Sequence, residues 1–142
     1  MLRSVMLAAV LSCFVFSAAA DDNNKVIKKV PTSQTSPTSG KEMFNTYCAV
    51  CHGRDAKGAG PAASALKKTP ADLTTLAARN NGKFPELRIY STIQGDSETP
   101  AHGSRDMPIW GTVFQEMSHG SAGEVQMRIG NLIAFVQTLQ VK

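Results

Sequence analysis

Cysteine is scarce in this sequence, and a basic motif for nucleic acids is missing. Only three cysteines occur among 142 residues, and one of them, Cys13, lies in an apolar N-terminal stretch. The two remaining cysteines are too few for a disulfide framework. The formal net charge is +4, but the lysines and arginines form no cluster with interleaved aromatic residues. We therefore expect no nucleic acid as a partner.

Long apolar runs are also missing beyond the N-terminus. Residues 5–16 are nearly all apolar, Arg3 precedes them, and the small residues Ala18-Ala19-Ala20 follow. The stretch is too short for a confident membrane span and is typical of a secretory signal. We therefore predict that residues 1–20 are a cleaved signal peptide and that the protein is exported, to a bacterial periplasm or its equivalent.

Membrane tethering of the mature chain is a less favoured alternative. Lipidation of Cys13 would anchor the chain, but the apolar residues directly after Cys13 disfavour a lipoprotein. Residues 21–39 are rich in Lys, Ser, Thr and Pro without an apolar period, which predicts a polar flexible linker. The folded domain should then span residues 40–142. Cleavage removes Arg3 and no acidic residue, which lowers the net charge from +4 to +3.

Capping residues and apolar spacing predict an all-α fold, since no run of strands is present. Ser39 and Glu42 form a capping box for a first helix, which Gly53 can end. The last helix follows from an apolar stripe of Val125, Ile129, Leu132, Ile133, Val136 and Leu139.

Two shorter helices are predicted between these. One opens at Thr69-Pro70, with Thr69 as its cap. The next runs from Phe84-Pro85 to Gly95 and directs Leu87, Tyr90 and Ile93 inward. Residues 95–111 should form a long loop.

The most informative motif is Cys48-Ala49-Val50-Cys51-His52, a C-x-x-C-H sequence. Two cysteines at this spacing can each form a thioether to one vinyl group of the same haem, and the following histidine then lies under the iron. Zinc is the nearest alternative, but it needs four protein ligands and a second Cys or His pair. A thioredoxin-like site shares the C-x-x-C spacing but expects strands around it. The motif therefore predicts one covalently bound haem c, with His52 as an iron ligand.

Met107 is the predicted second axial ligand of the iron. A thioether is a soft ligand that favours ferrous iron, and Pro108 stiffens the loop that would present it. Trp110 could cover the haem edge and donate its indole N–H to a propionate. Met43 and Met127 lie on predicted helices and are interpreted as core residues. The alternative ligands are Met117, His102 and His119.

The chain resembles class I cytochrome c over nearly all of residues 40–142. Gly40, Phe44 and Cys48 recur at four-residue intervals, as in the first helix of that family. Leu132-Ile133-Ala134-Phe135 is similar to its last helix. The resemblance implies a cytochrome c-like fold, in which the absence of a side chain at Gly40 lets the two helices approach while Phe44 packs against the last helix.

Two further segments carry the resemblance. Residues 51–61, CHGRDAKGAGP, are similar to the family's short proximal loop, which implies that the backbone carbonyl of Pro61 accepts a hydrogen bond from His52. Residues 105–111, RDMPIWG, are similar to its distal segment, which implies Met107 as a ligand and Trp110 as a propionate partner.

The function implied by this resemblance is one-electron transfer in a respiratory or periplasmic chain, without enzymatic activity. The expected partners are redox proteins, an electron donor and an acceptor, and the protein is expected to be a monomer. Two alternatives stay open. One is a haem subunit of an oxidase or dehydrogenase complex, and the other is a ligand-binding or peroxidatic haem protein with a displaceable sixth ligand.

Overall fold

The computed structural model describes residues 33–96 and 107–141, and in these residues it contains helices and turns but no strand. The predicted all-α, cytochrome c-like fold is confirmed. The expectations for residues 1–32, which include the signal peptide and Cys13, lie outside the described residues. His102 also lies outside them.

The first helix, α1, is continuous from Gly40 to His52 and contains a π-helical turn. Its three parts are Gly40–Met43, the π-helical Phe44–Cys48 and Ala49–His52. Ser39 begins the helix as predicted, because its hydroxyl accepts a hydrogen bond from the Glu42 amide at 3.2 Å. Gly53 ends it with a φ of +80°, a left-handed conformation that glycine adopts without steric cost. The C-x-x-C-H motif therefore occupies the last part of a capped helix.

Three more α-helices follow in the part of the chain that the structure describes: α2 (Glu86–Gln94), α3 (Trp110–Met117) and α4 (Ala122–Thr138). The predictions for α2 and α4 are confirmed, and Gly95 ends α2 in the left-handed region with a φ of +91°. The prediction that Leu87 points inward is wrong, since this side chain is 83% exposed. Helix α3 was not predicted, because its first two residues belong to a segment that the sequence suggested was a loop.

The short helix expected at Thr69-Pro70 is absent from the described residues. A 3₁₀ turn, Leu73–Thr75, forms instead, and Asp72 caps it. The Asp72 carboxylate accepts hydrogen bonds from the Thr74 amide at 2.8 Å and from its hydroxyl at 2.6 Å. These two bonds hold the pKa of Asp72 below its ordinary value. Because an Asx cap satisfies the free amides locally, the chain turns at Asp72 and not at Thr69.

Helix α4 is the centre of the packing, since α1, α2 and α3 each contact it. At Gly40 the two backbones meet so closely that a Cβ would overlap the carbonyl oxygen of Asn131 and lie 2.9 Å from the Phe135 Cβ. Phe44 is fully buried, and its ring centroid is 5.4 Å from that of Phe135. Leu132 is buried in the same core cluster. The predicted close crossing of the first and last helices is therefore present.

Gly40→Ala is expected to destabilise the domain by about 2 kcal/mol, because overfilling a tight contact forces backbone shifts. The midpoint of urea unfolding of the haem-loaded protein measures this effect. Gly130→Ala is the matched control on α4, where an added Cβ meets nothing within 4 Å. That control should raise stability by roughly 0.5–1 kcal/mol. Equal midpoints for the two variants would contradict the close crossing.

The segment just before α1 corrects the expectation of a flexible linker up to Ser39. Thr35 is buried, and its backbone carbonyl accepts a hydrogen bond at 3.0 Å from Arg128, which is only 3% exposed. The Tyr47 hydroxyl donates to the Ser33 carbonyl at 2.5 Å. Asn131 donates to the carbonyl of Pro37 at 3.0 Å. Residues 33–39 are therefore fixed on α1 and α4, because polar side chains from both helices satisfy their backbone groups.

Candidate haem site

The two motif cysteines lie one turn apart at the end of α1, and both are half-buried free thiols. Burial raises the pKa of the Cys48 thiol to about 12, and the nearby charge of a Cys51 thiolate acts in the same direction. Cys48 is therefore a neutral thiol at physiological pH in the folded chain. Two sulfurs at this spacing match the two thioethers of a haem c.

The histidine of the motif is oriented by a hydrogen bond to a backbone carbonyl. His52 Nδ1 lies 3.0 Å from the carbonyl oxygen of Ala71. Because a carbonyl oxygen only accepts, Nδ1 carries the proton in this bond, and the lone pair of the imidazole is at Nε2. A histidine held in this tautomer is prepared to bind a metal through Nε2.

The carbonyl that orients His52 here belongs to Ala71, and the role of Pro61 that the resemblance implies stays a prediction. Pro61 is exposed and lies between two residues that are bonded to the end of α1. The Gly60 amide donates to the Cys51 carbonyl at 3.0 Å, and the Ala62 amide donates to the Val50 carbonyl at 2.9 Å. The loop around Pro61 therefore satisfies the free carbonyls of the last helical turn.

Ala71 could not be identified as a site residue from its type, because it acts through its backbone. Its place depends on the loop after the motif, where the Gly58 amide donates to the His52 carbonyl at 2.7 Å. Gly58 has a φ of +87°, and a Cβ there would overlap the carbonyl oxygen of Pro70. The chain at Pro70-Ala71 therefore packs directly on this loop. This packing places the Ala71 carbonyl within hydrogen-bonding distance of His52. The one sequence signal near it is Asp72, whose capping of the next turn fixes where the chain bends.

Met107 and Trp110 lie together at the start of α3. Met107 is half-buried against the hydrophobic core, and Trp110 is the first residue of the helix. The Trp110 ring centroid is 5.2 Å from that of Tyr47 and 5.8 Å from that of Phe114. Since Tyr47 directly precedes Cys48, this aromatic contact brings the predicted distal segment against the helix that carries the attachment motif.

The alternative ligands have other surroundings. Met117 is buried in the core, and its sulfur lies 3.8 Å from the Tyr47 hydroxyl oxygen. His119 is exposed in the turn after α3. Met43 is fully buried, as interpreted, whereas Met127 is 44% exposed on α4 and is not a core residue. Among the methionines in the described residues, Met107 is thus the one that combines partial burial with a position outside the helices.

The residues of this region fit a covalently attached haem. The donor set consists of two free thiols, an imidazole oriented through Nδ1 and a half-buried thioether. An apolar surface is also available, because several half-buried side chains pack on the core: Leu73, Leu76, Phe84, Ile89 and Val113. A porphyrin needs soft or imidazole ligands for its iron and apolar contacts for its faces, and both are present.

A helical domain with a C-x-x-C-H motif at the end of its first helix defines the class of the c-type cytochromes, and the class I-like recognition is confirmed. The family model that matches is described as cytochrome C oxidase, cbb3-type, subunit III, and it covers residues 35–119. The chain belongs to this family. The match begins at Thr35, where the fixed segment before α1 reaches the core. Neither the curated proteins nor the solved structures gave a match.

Membership in this family implies haem c as the cofactor and haem-based electron transfer as the activity. Among the described residues, no helix is long and apolar enough to cross a membrane.

Proposed function

We propose that this chain is an exported one-electron carrier with a single haem c. Cys48 and Cys51 would hold the haem covalently, and His52 and Met107 would ligate its iron. The observation that carries this proposal is the hydrogen bond from His52 Nδ1 to the Ala71 carbonyl, because it fixes the tautomer in which the imidazole would bind iron through Nε2.

Each residue of the site has a separate role in the proposed electron transfer. When bound, haem c supplies an iron that gains or loses one electron. His52 is held in one tautomer by Ala71, so its ring does not reorient between redox states. A thioether from Met107 favours the ferrous state and raises the reduction potential. Leu73 and Leu76, which pack half-buried on the core, are proposed to contact the haem and to limit the access of water to it.

Trp110 is proposed as a partner of the haem edge. Its ring is fixed by Tyr47 and Phe114, so its indole N–H has a defined direction. Donation to a propionate would lower the cost of the propionate's negative charge beside the apolar core. In this proposal Trp110 tunes the potential but does not hold the haem.

Carbon monoxide binding tests whether both axial positions stay filled. The reduced haem-loaded protein is expected to bind carbon monoxide slowly or not at all, because Met107 occupies the second face. A spectroelectrochemical titration should follow a one-electron Nernst curve, with a slope of about 59 mV per decade. Rapid carbon monoxide binding to the native protein would instead support the ligand-binding or peroxidatic alternative.

A haem subunit of an oxidase complex is the second candidate, and the family itself favours it, since its description names an oxidase subunit. The site chemistry would be the same, but the redox partner would be permanent. Affinity purification of the full chain from mildly solubilised membranes separates the two cases. A stoichiometric complex containing further haem proteins supports the subunit, whereas recovery of the chain alone in the soluble exported fraction supports the free carrier.

A further inference from the structure

The side chain of Gln140, just beyond α4, fastens the segment that carries the carbonyl bonded to His52. Gln140 Nε2 donates to the Leu73 carbonyl at 2.7 Å, and its Oε1 accepts from the Ala77 amide at 2.9 Å. The next residue adds a third bond, from the Val141 amide to the Thr74 carbonyl at 2.9 Å. One amide side chain thus bonds the first residue of the turn Leu73–Thr75 and the amide of Ala77, two residues beyond the turn.

These bonds, which we call the Gln140 clasp, are separated from Ala71 by a short segment whose backbone is itself hydrogen-bonded. Leu73, which accepts from Gln140, is two residues from Ala71, and its amide donates to the Ala56 carbonyl at 2.8 Å. Between them, Asp72 is fixed by its bonds to Thr74. The segment is therefore bonded to the motif loop on one side and to the end of α4 on the other, which leaves little freedom for the Ala71 carbonyl.

Gln140 also has an anchor of its own. Its Nε2 lies 3.0 Å from the carbonyl of Val136, which is buried in α4. The amide is therefore oriented by the helix before it reaches across to the turn. A side chain fixed in this way can hold a neighbouring segment in place, because its own rotamer freedom has already been lost.

We propose that Gln140 is a positioning residue for the iron ligand His52, acting through residues 71–77. This inference rests on the proposed ligation of iron by His52. A firm acceptor at Ala71 makes the imidazole more electron-donating, and such a ligand stabilises ferric iron. Loss of the Gln140 clasp weakens the hydrogen bond from His52 Nδ1–H to the Ala71 carbonyl. The reduction potential then rises, and the Nδ1–H proton exchanges with solvent faster.

The experiment compares the haem-loaded Gln140→Leu and Thr138→Val variants with the unaltered protein. Gln140→Leu removes the side-chain bonds to Leu73, Ala77 and Val136 at similar side-chain volume. Thr138→Val is the matched control, since it removes one side-chain bond at the same helix end, from the Thr138 hydroxyl to the Phe135 carbonyl at 2.6 Å. The readouts are the reduction potential and the exchange rate of the His52 Nδ1–H measured by NMR.

Gln140→Leu is expected to shift the potential upward and to accelerate Nδ1–H exchange about tenfold, the factor expected when hydrogen bonds of ordinary net strength are lost. Thr138→Val should change neither. Gln140→Met also removes the Gln140 side-chain bonds at similar side-chain volume and without adding a charge, and it replaces Gln140→Leu if that variant does not fold.

An unchanged potential and exchange rate in Gln140→Leu, whatever the loss of stability, would overturn the positioning role. Failure of the proposed function is recognised separately. If the proposed function is wrong, the unaltered protein shows it before any Gln140 variant is compared. Its haem is then not covalently bound, or its His52 resonance lacks the shift caused by iron.

Discussion

The double variant Cys48→Ala/Cys51→Ala is expected to lose all covalently bound haem. Acid–acetone extraction should then remove the colour from the polypeptide, whereas in the unaltered protein the colour stays with the chain. Each single variant retains one thioether and one free vinyl group. Since a vinyl group extends the conjugation of the ring, the single variants should absorb at longer wavelength than the unaltered protein.

The physical reason for a large effect is the high effective concentration that a covalent link provides. Without the link, binding depends on the axial ligands and on half-buried apolar side chains such as Leu76 and Ile89. The double variant should therefore lose haem on dilution and unfold at lower urea concentration. Val50→Ala is the matched control, because Val50 is 46% exposed between the two cysteines and its replacement leaves both sulfurs in place. Colour that survives extraction in the double variant would contradict the haem site at α1.

Several features of this domain were predictable because their signals are local. Ser39 caps α1 and Gly53 ends it, and each is recognised by a residue type that suits one backbone conformation. The stripe on α4 follows from helical periodicity. Gly40 was predictable for a different reason, since the lack of a side chain marks a contact between two backbones.

Other features of the site depend on partners that are distant in sequence. Thr35 looked like part of a polar arm, but Arg128, 93 residues later, makes it part of the core. The orienting carbonyl of Ala71 has no signature, because every residue offers a carbonyl and only the fold selects one. Helix α3 begins at Trp110, where aromatic packing on Tyr47 supplies stability that the short helix lacks by itself. These features could be found only once the chain was folded.

Met107→Leu is expected to remove the weak sulfur-to-iron charge-transfer band of the oxidised protein. Leucine has a similar volume but no ligand atom, so the iron loses its second protein ligand while the core stays filled. The potential should fall, on the order of 0.2 V, within the range of about 0.8 V that axial ligands control. The reduced variant should also bind carbon monoxide rapidly, because one face of the iron is then open.

Met117→Leu is the comparison that gives this result its meaning. Met117 is 7% exposed, and leucine nearly conserves its volume, so the replacement should cost less than about 1.5 kcal/mol of stability and leave the band in place. His102→Ala and His119→Ala should retain the band as well. If Met117→Leu lost the band and Met107→Leu kept it, the ligand assignment would be reversed. If both methionine variants kept the band and His102→Ala or His119→Ala altered the spectrum, the iron would be bound by two histidines. Its potential would then be lower than a thioether ligand gives.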